Sequence, residues 1–376
     1  MSGTAPSTAR VDLIAGARPN FMKIAPIIRA LEAARSRGGS LAYRLVHTGQ
    51  HYDARMSGDF FRQLGIPEPD VNLEVGSGSQ AEQTGAIMLG YERLLVESRS
   101  DLCLVVGDVT STMACAVTAQ KLHVPVAHVE AGIRSGDWTM PEEINRLVTD
   151  AITNWFFTTS EVANENLRRS GVGDDRIFFV GNTMIDTLLA HMERLVPPPF
   201  WDTHGLQPGG YLVMTLHRPA NVDDPASLAA VLRAAADAAR GLPIVFPVHP
   251  RTAKSLQRAG AVPANVLVVE PQPYLEFNHL VRHAKAVVTD SGGITEETTV
   301  MGVPCITLRN STERPETVTI GTNELIGTDP ARLAPTLDRL FAGEWKRGGI
   351  PPLWDGRAGE RIVAHLARLL GPRAAA

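Results

Sequence analysis

Cysteine is scarce in this chain: 376 residues include only Cys103, Cys115 and Cys305. All three stand in apolar strand or helix patterns with no CxxC spacing, so neither a disulfide framework nor thiol metal ligation is expected. Long apolar runs are missing too. None reaches the ~18 residues that span a bilayer, and residues 1–10 form a polar tail without the apolar centre of a signal peptide. These absences predict a cytoplasmic protein with reduced thiols and no membrane partner. No charge of one sign dominates: the net charge is −4, with 20 % charged residues of both signs mixed along the chain. That leaves no basic field for nucleic acid and no acidic tail. Repeats of solenoid length are absent, as are low-complexity tracts apart from the terminal alanines. What remains is an enzyme or a binder of small molecules.

Present instead is a strand–helix alternation in a chain long enough for two α/β domains, each with its own core. In the first half, strands are expected at Val11–Ala15, Tyr43–Thr48, Asp101–Val106, Val124–Val129, Trp155–Thr158 and Ile177–Val180. Fully apolar strands of this kind belong to parallel sheets covered on both faces. Val196-Pro197-Pro198-Pro199 and the polar stretch to Gly210 read as a linker. The alternation restarts with strands at Tyr211–Leu216, Pro243–Val248, Asn265–Val269, Val287–Thr289 and Cys305–Leu308. The expected fold is α/β, with two Rossmann-like doubly wound domains facing across a cleft. Residues 1–190 form the first domain and residues 205–357 the second, and a last helix over about 358–376 packs back on the first.

Local chemistry is densest in Ala286–Ile306, AVVTDSGGITEETTVMGVPCI. A strand ends at Thr289, Asp290-Ser291-Gly292-Gly293 turns, and a helix opens on Thr295-Glu296-Glu297. Such a junction aims unpaired backbone N–H groups and a positive dipole end at one point, which suits an anion. Gly292 and Gly293 leave room for a diphosphate, Ser291 adds a hydroxyl donor, and Glu297 is placed to accept from both hydroxyls of a ribose. The bland alternative is a tight turn with glutamates balancing a helix dipole. Near the N-terminus, Gly16-Ala17-Arg18-Pro19-Asn20 has one glycine where a dinucleotide fingerprint needs three, so NAD is disfavoured. Arg18 and Lys23 complement phosphate there, or are solvated basic residues. Asp108 follows an apolar strand, where open sheets place ligand groups, and it also suits a helix cap. Glu130 ends another apolar strand beside Gly132, a costly place for a carboxylate without a task. Pro141-Glu142-Glu143 opens a helix that needs only one of its two acids. In the second half, His217, His249, Glu270 with Gln272, Ser291 and Arg309 follow five successive strands, and five polar strand ends in register argue for a binding face.

The runs GARPNFMKIAP, HTGQHYD, GDVTST, HVEAGIRSGDW with PEEINR, GNTMIDTLL, PVHPR, DSGGITEE and TERPE stand in this order along nearly the whole chain. In them the sequence resembles the non-hydrolysing bacterial UDP-N-acetylglucosamine 2-epimerases. The resemblance implies the B-type glycosyltransferase fold, a homodimer, and interconversion of UDP-N-acetylglucosamine and UDP-N-acetylmannosamine with no metal or nicotinamide cofactor. It implies catalytic roles for Asp108, Glu130, Glu142 and His217. Arg18, Lys23, Arg146, Gln272, Ser291, Gly292, Gly293, Glu297 and Arg314 would hold the UDP-sugar. Gln50, His51 and His249 are the candidates for a regulatory UDP-N-acetylglucosamine site. Two departures stand out: Asn20, where many members carry Glu, and His217-Arg218-Pro219-Ala220, where many carry His-Arg-Arg-Glu. A branch acting on diacetamido uronic acid sugars shares the first loop. A hydrolysing 2-epimerase, a glycosyltransferase of the same fold and a non-catalytic UDP-sugar sensor are the other readings.

Overall fold

The computed structural model describes residues 8–49, 63–248 and 250–371. The chain divides into two compact units, Met1–Ala190 with Pro352–Ala376, and His191–Pro351. Among the described residues the first unit holds seven parallel strands: β1 (Ala9–Ala15), β2 (Leu41–His47), β3 (Val71–Asn72), β4 (Leu102–Val106), β5 (Val126–Val129), β6 (Trp155–Thr158) and β7 (Ile177–Phe179). Their order is β3-β2-β1-β4-β5-β6-β7, so the winding reverses between β1 and β4. A doubly wound sheet opens a crevice for ligands at the carboxyl ends of that strand pair. Ile14, Val46, Cys103, Val105 and Val126 pack in one apolar cluster with residues of the helices Gln80–Glu97 and Thr110–Lys121. Asp12 lies fully buried in β1, but Arg44 reaches it at 2.8 and 2.7 Å and the Tyr91 hydroxyl donates to it at 3.0 Å. A buried carboxylate is tolerated only with such company.

The helix Arg18–Ser36 contains Pro26, which has no N–H to offer the carbonyl four residues back. That carbonyl, on Met22, accepts instead from the Thr187 hydroxyl at 2.6 Å. The final helix, Ala358–Leu370, lies against this same helix, and Asp186 accepts from its first amides, Ala358 at 3.0 Å and Gly359 at 2.7 Å. Asp186 therefore caps, across the unit, a helix whose own preceding residue, Arg357, provides no side-chain cap. A Cβ on Gly359 would stand 2.6 Å from the Pro26 carbonyl oxygen. Gly359→Ala is thus expected to destabilise the protein by ~2 kcal/mol, since backbone cannot yield as a side chain can, and thermal unfolding should show a fall of roughly 5 °C. An unchanged melting temperature would mean that the two helices part freely.

In the second unit six parallel strands among the described residues follow the order β10-β9-β8-β11-β12-β13. They are β8 (Leu212–Thr215), β9 (Ile244–Pro247), β10 (Val266–Val269), β11 (Ala286–Thr289), β12 (Cys305–Thr307) and β13 (Asn323–Leu325). Leu212, Met214, Ala286, Val288 and Ile306 enter one apolar cluster, and Val213, Val287 and Cys305 the other. This alternation covers both faces, as the runs of apolar residues predict. The winding reverses between β8 and β11. All three cysteines are buried and free, and burial lifts the Cys305 thiol to about 11. No helix among the described residues is long and apolar enough to cross a membrane.

Candidate active site

Both reversal points carry the polar residues singled out in the sequence. In the first unit the turn after β1 is stapled by Asn20. Its Oδ1 accepts from the Gly16 and Ala17 amides at 3.2 and 3.0 Å, and its Nδ2 donates to the Val106 carbonyl at 2.8 Å. An amide does both tasks, whereas a glutamate at this position could not donate to the end of β4. Gly16 serves packing: a Cβ there would sit 2.0 Å from the Ser111 hydroxyl. Arg18 opens the following helix. One turn on, Lys23 Nζ lies 2.6 Å from Glu130 Oε2. Glu130 adopts a left-handed backbone, φ 67°, just past β5 and is nearly fully buried. Non-glycine residues are uncommon there, and such strain gathers at functional positions. Gly107 makes room for the pair, because a Cβ would stand 3.1 Å from Lys23 Nζ and 3.6 Å from Glu130 Oε2.

Asp108, next in the chain, does not cap the helix Thr110–Lys121; Val109 holds that position without a side-chain bond. Its Oδ2 accepts from Arg146 Nε at 3.0 Å and Nη2 at 2.7 Å, and its carbonyl from Asn145 at 2.8 Å. Arg146 also binds Glu143 at 2.5 Å. Burial works against the Glu143 charge, but the Ser135 and Gly136 amides, both at 3.0 Å, together with Arg146, hold its carboxyl below the ordinary value. The two acids at the start of the helix Pro141–Ile152 thereby separate: Glu143 anchors the 135–136 loop, while Glu142 is half-buried and has no hydrogen-bond or ion-pair partner among the described residues. Beneath this rim His128, fully buried in β5, bonds Asp150 through Nδ1 at 2.7 Å and the Gly107 carbonyl through Nε2 at 2.8 Å. Both partners accept, so the ring satisfies both only with a proton on each nitrogen. Burial opposes the Asp150 charge, but His128, joined by Arg134 at 2.6 Å, prevails and keeps its carboxyl low; the Gly132 amide also donates to it at 3.0 Å.

In the second unit the helix starts at Gly292, so Gly292 and Gly293 are its first residues rather than a turn, and Glu296 and Glu297 lie a full turn in. There they do not balance the dipole at its end. Arg314 is paired with Glu296, and Tyr274 donates to Glu297 at 3.2 Å. Ser291 makes no capping bond to the helix. Gln272, just ahead of the helix that carries Tyr274, turns its amide to the Glu270 carbonyl at 2.7 Å. Asp290, fully buried, organises the rim. It accepts from the His217 and Arg218 amides at 3.1 and 3.0 Å, from Asn221 at 2.9 Å, and stands 2.8 Å from His217 Nδ1. Burial opposes that charge; the bonds prevail and hold its carboxyl low. With Nδ1 turned to Asp290, Nε2 is the nitrogen of this half-exposed ring left for a ligand. Sequence reasoning passed over Asp290 and Glu143, although a charged residue directly after the buried strand β11 is the same signal that picked out Glu130. Gln50, His51 and His249 lie outside the described residues.

A model of the UDP-N-acetylglucosamine 2-epimerase family matches residues 33–367. The chain belongs to this family. Among its solved members, the Methanocaldococcus jannaschii UDP-N-acetylglucosamine 2-epimerase, crystallised with UDP-N-acetylglucosamine and UDP, is 38% identical. The match covers 96% of this chain and 99% of that one, with a TM-score of 0.86. The UDP-2,3-diacetamido-2,3-dideoxy-D-glucuronate 2-epimerase of Pseudomonas aeruginosa is also 38% identical over 360 residues, 95% of this chain and 99% of that protein. CalG4, a calicheamicin glycosyltransferase, shares the fold alone, at TM-score 0.56 and 15% identity over 98% of this chain and 100% of that one. Two α/β units of this build are those of the B-type glycosyltransferases, as expected from the sequence.

Proposed function

We propose that this epimerase-family chain interconverts UDP-N-acetylglucosamine and UDP-N-acetylmannosamine by eliminating and re-adding UDP. The observation that carries the reading is the set of carboxylates at the β4 and β5 ends, Asp108 and Glu130, each held within 2.7 Å by a basic side chain, with Glu142 nearby in sequence and unengaged. Carbon 2 of the sugar has no adjacent carbonyl, so its hydrogen is not acidic in the ground state. As the bond from carbon 1 to the UDP oxygen breaks and UDP leaves with the electron pair, carbon 1 gains oxocarbenium character and the hydrogen on carbon 2 acidifies. A carboxylate takes that proton, leaving a 2-acetamidoglucal with a double bond between carbons 1 and 2. A second acid delivers a proton to the other face of carbon 2, UDP adds back to carbon 1, and the epimer results. Lys23 and Arg146 orient the two carboxylates. His217 Nε2, the helix terminus at Gly292 and Gly293, Ser291 and Arg314 serve the diphosphate, with Arg18 as a further basic group. Glu297 and Gln272 serve the nucleoside.

The testing experiment is a proton NMR time course of UDP-N-acetylglucosamine with the protein in deuterated water. UDP-N-acetylmannosamine deuterated at carbon 2 is the expected product. Free N-acetylmannosamine with UDP would replace this reading by hydrolysis. The equal identity to the Pseudomonas aeruginosa enzyme favours one second reading, in which the sugar is a diacetamido uronic acid; exchange with that substrate alone would establish it. We further propose a cytoplasmic homodimer in which a second UDP-N-acetylglucosamine binds through Gln50, His51 and His249, to be tested by sedimentation and by sigmoidal rate curves.

Burial lifts the Glu297 carboxyl to about 7, with the Tyr274 hydrogen bond pulling the other way. Since the unfolded value is ~4.3, protonation favours the fold below that pH, and this stabilisation is lost as pH rises through about 7. Accepting from two ribose hydroxyls requires the opposite, ionised form. Uridine, which lacks a titrating phosphate, should therefore bind roughly tenfold more weakly for each pH unit below 7, and Glu297→Gln should flatten the slope. Calorimetric titrations with uridine at pH 6 and pH 8 decide it; equal affinities in the parent protein would contradict the assignment.

A further inference from the structure

The helix Gly292–Met301 begins beside two side chains that the reaction above does not use. Arg309, 5 % exposed, follows β12, and its Nη2 binds Glu313 Oε2 at 2.6 Å. Its Nη1 is buried and has no hydrogen-bond partner among the described residues. The place a Cβ would take on Gly292 lies 3.8 Å from Arg309 Nη1 and 2.8 Å from Glu313 Oε1, so both groups stand against the first residue of the helix. Arg218 Nη2 is 3.7 Å from Glu313 Oε1. A buried guanidinium donor without an acceptor is costly, and a carboxylate against a helix N-terminus occupies the position that a phosphate favours.

We propose that Arg309 is a further diphosphate-binding residue of this helix terminus, and that Glu313 is the counter-ion it exchanges for a phosphate. The proposal rests on the reading that the second unit holds a nucleoside diphosphate. Arg309 Nη1 already points at the terminus, so a phosphate oxygen there gains a charge-assisted bond from a group that is fixed in advance. Glu313 carries the same sign as the arriving phosphate and gives way to it. Glycine at 292 serves this exchange, since a side chain there would displace the Glu313 carboxylate. Serine, glycine and basic residues are common near phosphates; what is particular here is a resident acid that has to be displaced.

The test is calorimetric titration of the full chain with UDP and, separately, with uridine. Arg309→Met combined with Glu313→Gln removes both charges and strands neither. The double variant is expected to bind UDP at least tenfold more weakly and uridine within twofold of the parent. Glu313→Gln alone should bind UDP at least threefold more tightly, because the competing charge is gone and Arg309 is retained. If the double variant binds UDP as the parent does, or loses uridine to the same degree, Arg309 is not a phosphate ligand and the proposal falls. A parent protein that binds neither UDP nor uridine would overturn the nucleotide reading itself, and this proposal with it.

Discussion

Asp108→Asn is expected to slow epimerisation about a thousandfold while UDP affinity stays within a factor of about three, the loss typical of a removed proton-transfer group. The substitution keeps the shape of the side chain. Asparagine Oδ1 still accepts from Arg146, and Asn145 still donates to the backbone carbonyl of residue 108, so the loop is retained. What disappears is a site for the proton. Deuterium incorporation at carbon 2, followed by NMR, separates this outcome from a binding defect, because a variant that binds UDP normally yet exchanges no deuterium has lost chemistry alone. Normal exchange would move the proton transfer to Glu130 and Glu142.

Arg146→Met should cost stability on a comparable scale, by ~3–5 kcal/mol, with a fall in melting temperature of roughly 10 °C. Its guanidinium joins Asp108 to Glu143, and Glu143 is 2 % exposed. Without Arg146 that buried carboxylate retains the Ser135 amide and hydroxyl and the Gly136 amide as donors to its charge, and Asp108 loses its bonds to the guanidinium. Arg146→Lys restores a charge but reaches one carboxylate at a time, so it should recover part of the stability and little of the orientation of Asp108. Thermal unfolding of the three proteins measures the effect. A loss under ~1 kcal/mol for the methionine variant would mean that the pair is solvated in solution.

The strands that build the two sheets were legible because parallel strands covered on both faces are written as unbroken apolar runs, and all eleven expected strands place both ends within two residues of the observed ones, the start of β5 at Val126 rather than Val124 being among the largest differences. The strands that were not foreseen are the edge pair. Val71–Asn72 has two residues, and Asn323–Leu325 has one apolar side chain, so neither shows a period. Pairing makes them: Asn323 enters the sheet because its Oδ1 accepts from Thr307 on β12 at 2.6 Å. At the site, sequence marked the polar residues at the strand ends, Lys23 and Arg146 among them, but not which of them pair with one another. Glu142 and Glu143 look alike in a helix start until Arg146 and two amides claim one of them. Asp290 hid inside a motif read for its glycines. His128 reads as part of an apolar strand, and only the fold places an acceptor at each of its nitrogens.

The capping of the last helix by Asp186 has a consequence for biogenesis. The helix Arg18–Ser36 leaves the ribosome early, but the partner whose Gly359 fits against Pro26 is translated after the whole second unit. During synthesis the first unit therefore waits, its apolar seam uncovered for tens of seconds, while the intervening unit has every residue it needs to fold. Chaperone occupancy on nascent chains should accordingly persist on the early segment and end only when the last helix emerges.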